Sequence, residues 1–138
     1  MGCSVLLFSA DELRGKIVDK VLTRRGLQCR VFHQILDAGG TIARYTPEIV
    51  ILDTEGCFTA EINHMRGICR SLKHPFAFVL GEAAVVDGFK GGGTLCLADP
   101  IDPDLIAEKA EEIISRKKRR LSGGEPLEKT LKKLLNLD

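Results

Sequence analysis

Pro47-Glu48-Ile49-Val50-Ile51-Leu52-Asp53 is the stretch on which the fold turns. Four successive apolar residues, three of them β-branched, follow a Pro-Glu pair and end abruptly in a carboxylate. An unbroken apolar run of this length, with no polar alternation, is what a strand buried on both faces of a parallel sheet requires. Asp53 then stands at the carboxyl end of that strand, the edge where α/β folds collect their ligands.

Outward from this strand the chain alternates. Ser4–Phe8, Cys29–Phe32, Phe76–Leu80 and Leu95–Leu97 are further short apolar runs and are expected to be strands. Between them the apolar period changes to that of helices. Ser9 to Gly26 places Leu13, Ile17, Val18, Val21 and Leu22 on one face, with Ser9-Ala10-Asp11-Glu12 as a capping box and Gly26 as a stop. A short helix is expected over Thr41–Tyr45 after the flexible Gly39-Gly40 pair. Thr59 to Leu72 spaces Ile62, Met65, Cys69 and Leu72 for a third helix. Ala83 to Lys90 has room for two turns carrying Val85, Val86 and Phe89 before Gly91-Gly92-Gly93. Asp102-Pro103-Asp104 supplies an N-cap, a proline at the first helical position and an early carboxylate. It opens a helix that turns Leu105, Ile106, Ala110, Ile113 and Ile114 inward. Strands and helices in this rhythm predict right-handed βαβ crossovers and a doubly wound, five-stranded parallel sheet of the α/β class.

The 138 residues suit one domain with a tail, and 44% hydrophobic content is enough for a core. Twenty Lys and Arg against nineteen Asp and Glu leave a net charge of +1, which points to neither nucleic acid nor an acidic partner. Cys3, Cys29, Cys57, Cys69 and Cys96 are scattered without metal-ligand spacing, as expected of reduced thiols in a cytoplasmic protein. No run reaches membrane-spanning length, so no membrane role is expected. His33, His64 and His74 belong to no metal or triad pattern, and the capping position of Ser9 explains it without nucleophilic chemistry. The glycine triplet precedes a strand and lacks the strand-to-helix context of a phosphate loop. Arg116-Lys117-Lys118-Arg119-Arg120 is read as a solvated helix end rather than a nucleic-acid contact. The domain is placed at 1–121. Residues 122–138 are read as a Gly-containing linker and a short amphipathic helix over Pro126–Asn136, with a stripe of Leu127, Leu131, Leu134 and Leu135.

Pro47–Asp53 resembles the third strand of response-regulator receiver (CheY-like) domains, where an apolar run ends in the phosphoacceptor aspartate. Asp99-Pro100-Ile101-Asp102-Pro103-Asp104 resembles their fifth-strand exit, where Lys-Pro precedes an acidic helix start. The resemblance spans residues 4 to about 121 and implies a flavodoxin-like strand order of 2-1-3-4-5. It makes Asp53 the phosphoacceptor candidate. The family's chemistry also needs an acidic pair after strand one for magnesium, a Ser or Thr after strand four and a lysine after strand five. Those places fall here on Ser9 and Ala10, on Leu80 or Gly81, and on Asp99, with Asp11 just beyond the first pair. The aromatic switch position falls on Cys96. Losing hydroxyl and ammonium partners forfeits roughly 1.5 to 3 kcal/mol for each charge-assisted contact to a phosphoryl group.

The resemblance therefore implies a degenerate receiver, a pseudo-receiver without enzymatic activity or resident cofactor. It would serve as an interaction or dimerisation module in bacterial phosphorelay signal transduction, with a histidine kinase, an output protein or a second copy as partner. Two other readings stand beside it: an atypical receiver phosphorylated on Asp53, and a small-ligand domain on the same fold. Asp11 and Asp53, joined by Asp99, are the residues that would hold magnesium or calcium if any ion binds. Without an ion, Asp53 and Asp99 are expected to face one another with no lysine between them. Asp99→Lys is then expected to stabilise the domain.

Overall fold

The computed structural model describes residues 4–71, 76–90 and 94–122. Five strands form one parallel sheet: β1 (Val5–Ser9), β2 (Cys29–Phe32), β3 (Ile49–Asp53), β4 (Phe76–Gly81) and β5 (Leu95–Ala98). Their order is β2-β1-β3-β4-β5, and every neighbouring pair is parallel. All residues of β1 and β3 are buried, as the unbroken apolar runs require. The register sets Ser9 beside Asp53 and Asp53 beside Leu80, so the ends of three strands meet at one point of the edge.

Leu6, Phe8, Val50, Leu52 and Val79 point to one face. There they pack with Ile35, Ala38, Ile42, Met65, Ile68, Val86 and Phe89. These residues come from a 3-10 turn at Ile35–Asp37, from α2 (Ala38–Tyr45), α3 (Thr59–Ser71) and α4 (Ala83–Val86), and from the turn Asp87–Phe89. Val18 and Leu22 of α1 (Glu12–Arg24), with Ile106 and Ala107 of α5 (Pro103–Ser122), are buried outside that cluster. Asp102 caps α5 as expected, its carboxylate accepting from the backbone N–H groups of Asp104 and Leu105. The chain divides into two compact units, Met1–Ala107 and Glu108–Asp138. The first carries the sheet and the site. The second is, among the described residues, the rest of α5, with ion pairs from Glu112 to Lys109 and Arg116. The boundary expected after residue 121 falls at the end of α5, and the expected helix at 126–136 lies outside the described residues, as do His74 and Gly91–Gly93.

Three expectations need correction. The second helix starts at Ala38 and runs through Gly39-Gly40. Burial of Ile35, Ala38 and Ile42 in one cluster outweighs the roughly 1 kcal/mol that each helical glycine costs. The segment from Ala83 yields one α-helical turn and then a 3-10 turn, not two α-helical turns. The inward face of α1 is also rotated. Leu13 and Ile17 are 69% and 42% exposed, whereas Gly15, Val18 and Leu22 are buried. A Cβ on Gly15 would lie 3.2 Å from Val31 Cγ1 and 3.6 Å from Ser9 Cβ, so glycine is what lets the first turn of α1 press against the strand ends. That close approach brings Arg14 to the end of the sheet.

Candidate functional site

Asp53 is 2% exposed at the end of β3, and both of its carboxylate oxygens have partners. Arg14 donates from Nε to Oδ2 and from Nη2 to Oδ1, each at 2.9 Å, in a two-pronged ion pair. The same Nη2 donates to Asp99 Oδ1 at 3.1 Å. Ser9 Oγ lies 2.9 Å from both Asp53 Oδ2 and the Asp11 carbonyl, so its one proton serves one acceptor at a time. The backbone N–H of Glu55 donates to Asp53 Oδ1 at 3.2 Å. His33 Nδ1 sits 2.7 Å from the carbonyl of Ser9, which fixes the strand end that carries the hydroxyl. The Asp53 and Asp99 carboxylates, through hydrogen bonds and charge, hold the Arg14 guanidinium above its ordinary pKa against the opposing effect of burial.

Arg14 is the functional residue that reading the sequence did not find. Arg14, Val18 and Leu22 recur every four residues, so the arginine is in phase with the buried stripe of α1. A cation in register with two core residues, five positions beyond the end of β1, was the available signal. It was hidden by taking Leu13 and Ile17 as the inward positions. The expectation that Asp53 and Asp99 face each other uncompensated is therefore corrected, because a guanidinium joins them.

The other anticipated positions divide. Ser9 belongs to the site, but as the last residue of β1 and not as a helix cap. The cap of α1 is Asp11, whose carboxylate accepts from the backbone N–H of Arg14 at 3.1 Å. Ala10 offers only a methyl group, 3.9 Å from where a Cβ on Gly56 would lie. Leu80 turns its side chain into the core and contributes its carbonyl, which accepts from Thr54 N–H and from Thr54 Oγ1 at 2.7 Å. Gly81 has φ +147°, and a Cβ there would overlap Thr54 Oγ1. The hydroxyl missing from β4 is thus replaced in space by that of Thr54, which is already committed to Leu80. Cys96 is half-buried and packs against the main cluster. Cys57 donates from Sγ to the Asp53 carbonyl at 3.5 Å, and burial pushes its thiol up to about 11, so it is no nucleophile near neutral pH.

The oxygens of the expected cation site over Asp11 and Asp53 are engaged by other groups in this structure. A divalent ion needs several free carboxylate oxygens. Asp53 gives its oxygens to Arg14, Ser9 and Glu55, and Asp11 gives an oxygen to the helix terminus. Among the described residues no three His, Cys, Asp or Glu stand close enough to hold a metal.

The sequence matches no protein-family model and no curated protein. The structure is similar to solved receivers. A signal receiver domain from Bermanella marisrubri is 19% identical with a TM-score of 0.69, covering 83% of this chain and 99% of that one. The receiver domain of a Francisella response regulator gives 0.70 at 12% identity, over 84% and 99% of the two chains. A response regulator from Thermotoga maritima gives 0.65 at 18% identity, over 83% and 99%. The chain has the CheY-like receiver fold. Its strand order is the one expected of that fold. No helix among the described residues is long and apolar enough to cross a membrane.

One expectation changes sign with Arg14 in view. Asp99→Lys would set an ammonium against the guanidinium in place of a carboxylate at 3.1 Å. Because Asp99 is 25% exposed, the loss should be modest, about 1 kcal/mol, and should show as a lower urea midpoint at neutral pH with little change in slope. A raised midpoint would mean that Arg14 does not hold Asp99 in solution.

Proposed function

We propose that the chain is a pseudo-receiver, a receiver-fold module that works by binding a signalling partner and not by phosphoryl transfer or other catalysis. The observation that carries this reading is the two-pronged pair between Arg14 and buried Asp53. An aspartate that accepts a phosphoryl group must present a free oxygen in line with the donor, and cations must then neutralise the transferred oxygens. Here both oxygens are engaged, Asp99 brings negative charge to the place of a lysine, and no hydroxyl from β4 is available. Arg14 acts in this reading as a built-in counter-ion that fixes the site in one state, so that the fold presents a constant surface to a histidine kinase, an output protein or another signalling partner. No resident cofactor is part of it.

The same arginine supports a second reading, in which Asp53 is phosphorylated and Arg14 turns to the phosphoryl oxygens in place of the family's lysine. Incubation with acetyl phosphate or phosphoramidate and magnesium separates the two. The expected result is an unchanged intact mass for the wild-type protein. A gain of one phosphoryl group that is lost in Asp53→Asn would establish the second reading and overturn the first.

A further inference from the structure

The carboxyl edge that holds the site carries large apolar side chains in water. Phe58, between β3 and α3, is 78% exposed; Leu13, in the first turn of α1, is 69%; and Leu36, in the 3-10 turn after β2, is 60%. They come from three successive strand-to-helix connections and so share one edge of the sheet. Around them stand Glu12, Asp37 and Glu55, none of which makes an ion pair among the described residues. Of the cations here, Arg14 is engaged by Asp53 and Asp99, and Arg44, which shares a hollow with Leu36 and Asp37, lays its guanidinium over the Tyr45 ring. Apolar anchors rimmed by unpaired carboxylates are complementary to a segment that is basic and apolar together.

The chain contains such a segment. Residues 1–115 carry twelve Lys or Arg against sixteen Asp or Glu, whereas residues 116–138 carry eight against three and six of the chain's leucines besides. We infer that the acidic, apolar edge formed by Leu13, Leu36 and Phe58 takes the basic, leucine-bearing segment 116–138 of a second copy of this chain. Reciprocal docking of two such segments closes a twofold dimer, which satisfies both edges and leaves none open for further addition.

Charge exchange between two variants tests this. The edge variant is Asp37→Lys with Glu55→Lys, and the tail variant is Lys132→Glu with Lys133→Glu, each made in the full chain. Sedimentation velocity at tens of micromolar should show the wild type self-associating, with the association weakened about tenfold or more in affinity between low and 0.5 M salt. Each variant alone should sediment as a monomer with an unchanged melting temperature, and Phe58→Ser should weaken association by at least about tenfold. Mixing the edge and tail variants should restore a dimer, because the reversed edge then meets the reversed tail. A wild type that stays monomeric, variants that associate like the wild type, or a mixture that stays monomeric would each overturn the inference.

Discussion

Replacing Arg14 with alanine should lower the stability of the fold by about 3 kcal/mol near neutral pH, one of the largest losses any single polar substitution in this chain can produce. Removing one member of a buried ion pair typically costs about 3 to 5 kcal/mol, since the partner is left charged and desolvated. Asp53, at 2% exposure, is in that position. The expected loss sits at the lower end because the Arg14 side chain is 17% exposed and its departure opens a path for water to Asp53. Arg14→Lys should lose less, as a point cation recovers charge but not the two parallel hydrogen bonds. Asp53→Asn should lose less again, because Arg14 keeps Asp99 and an amide oxygen still accepts from it. The double variant Arg14→Ala with Asp53→Asn should therefore be more stable than the two single losses added together. Urea unfolding of the four proteins reads this coupling directly. A coupling below about 0.5 kcal/mol would mean that the pair is effectively solvated and that the counter-ion account of the site fails.

What was legible in the sequence was what short-range physics decides. Ile49 to Leu52 could only be a two-sided buried strand, and Asp53 could only end it. Asp102-Pro103-Asp104 specified a helix start through its own backbone. From those two anchors the doubly wound order and the edge carrying Ser9, Asp53 and Asp99 followed. The content of the site was harder to read, because it depends on rotations and distances between segments far apart in sequence. Rotating the inward face of α1 removes Leu13 and Ile17 from it and brings Arg14 into line with Val18 and Leu22, and a pocket expected to be empty of cations becomes one filled by a guanidinium. Two exposed apolar residues of α1, Leu13 and Ile17, violate the usual preference and made its periodicity misleading. The run through Gly39-Gly40 was misplaced for a related reason, since the burial that holds those glycines helical comes from a core that no local window contains. Thr54 stands next to the candidate acceptor in every reading of the chain. Its role appears only when β3 and β4 are laid side by side.

That alignment gives the other large effect, at Gly81. The register pairs Asp53 with Leu80, and Thr54 continues it through its N–H to the Leu80 carbonyl, so Thr54 stands opposite Gly81. The backbone at Gly81 has φ +147°, where an L side chain is strained by about 1 to 3 kcal/mol even in open space. The space is not open: a new Cβ would overlap Thr54 Oγ1 and lie 3.2 Å from Thr54 Cβ. Thr54 is buried at 5% exposure and tied to Leu80, so it cannot swing away without leaving its hydroxyl unpaired. Gly81→Ala should therefore destabilise the fold by at least about 3 kcal/mol, measured by urea unfolding. Gly81→Ser, which would restore a hydroxyl to the end of β4, should fare no better, because the obstacle is the Cβ and not the chemistry beyond it. Thr54→Ala alone should cost about 1 kcal/mol for the lost hydrogen bond, the Leu80 carbonyl keeping its backbone donor. Combined with Gly81→Ala it should recover part of the loss, leaving the strain of the backbone. If Gly81→Ala and the combined variant lose the same stability, the overlap with Thr54 is not what excludes a side chain at 81. If Gly81→Ser is as stable as the wild type, the receiver hydroxyl could be restored by one substitution, and its absence would no longer be built into the packing of β3 against β4.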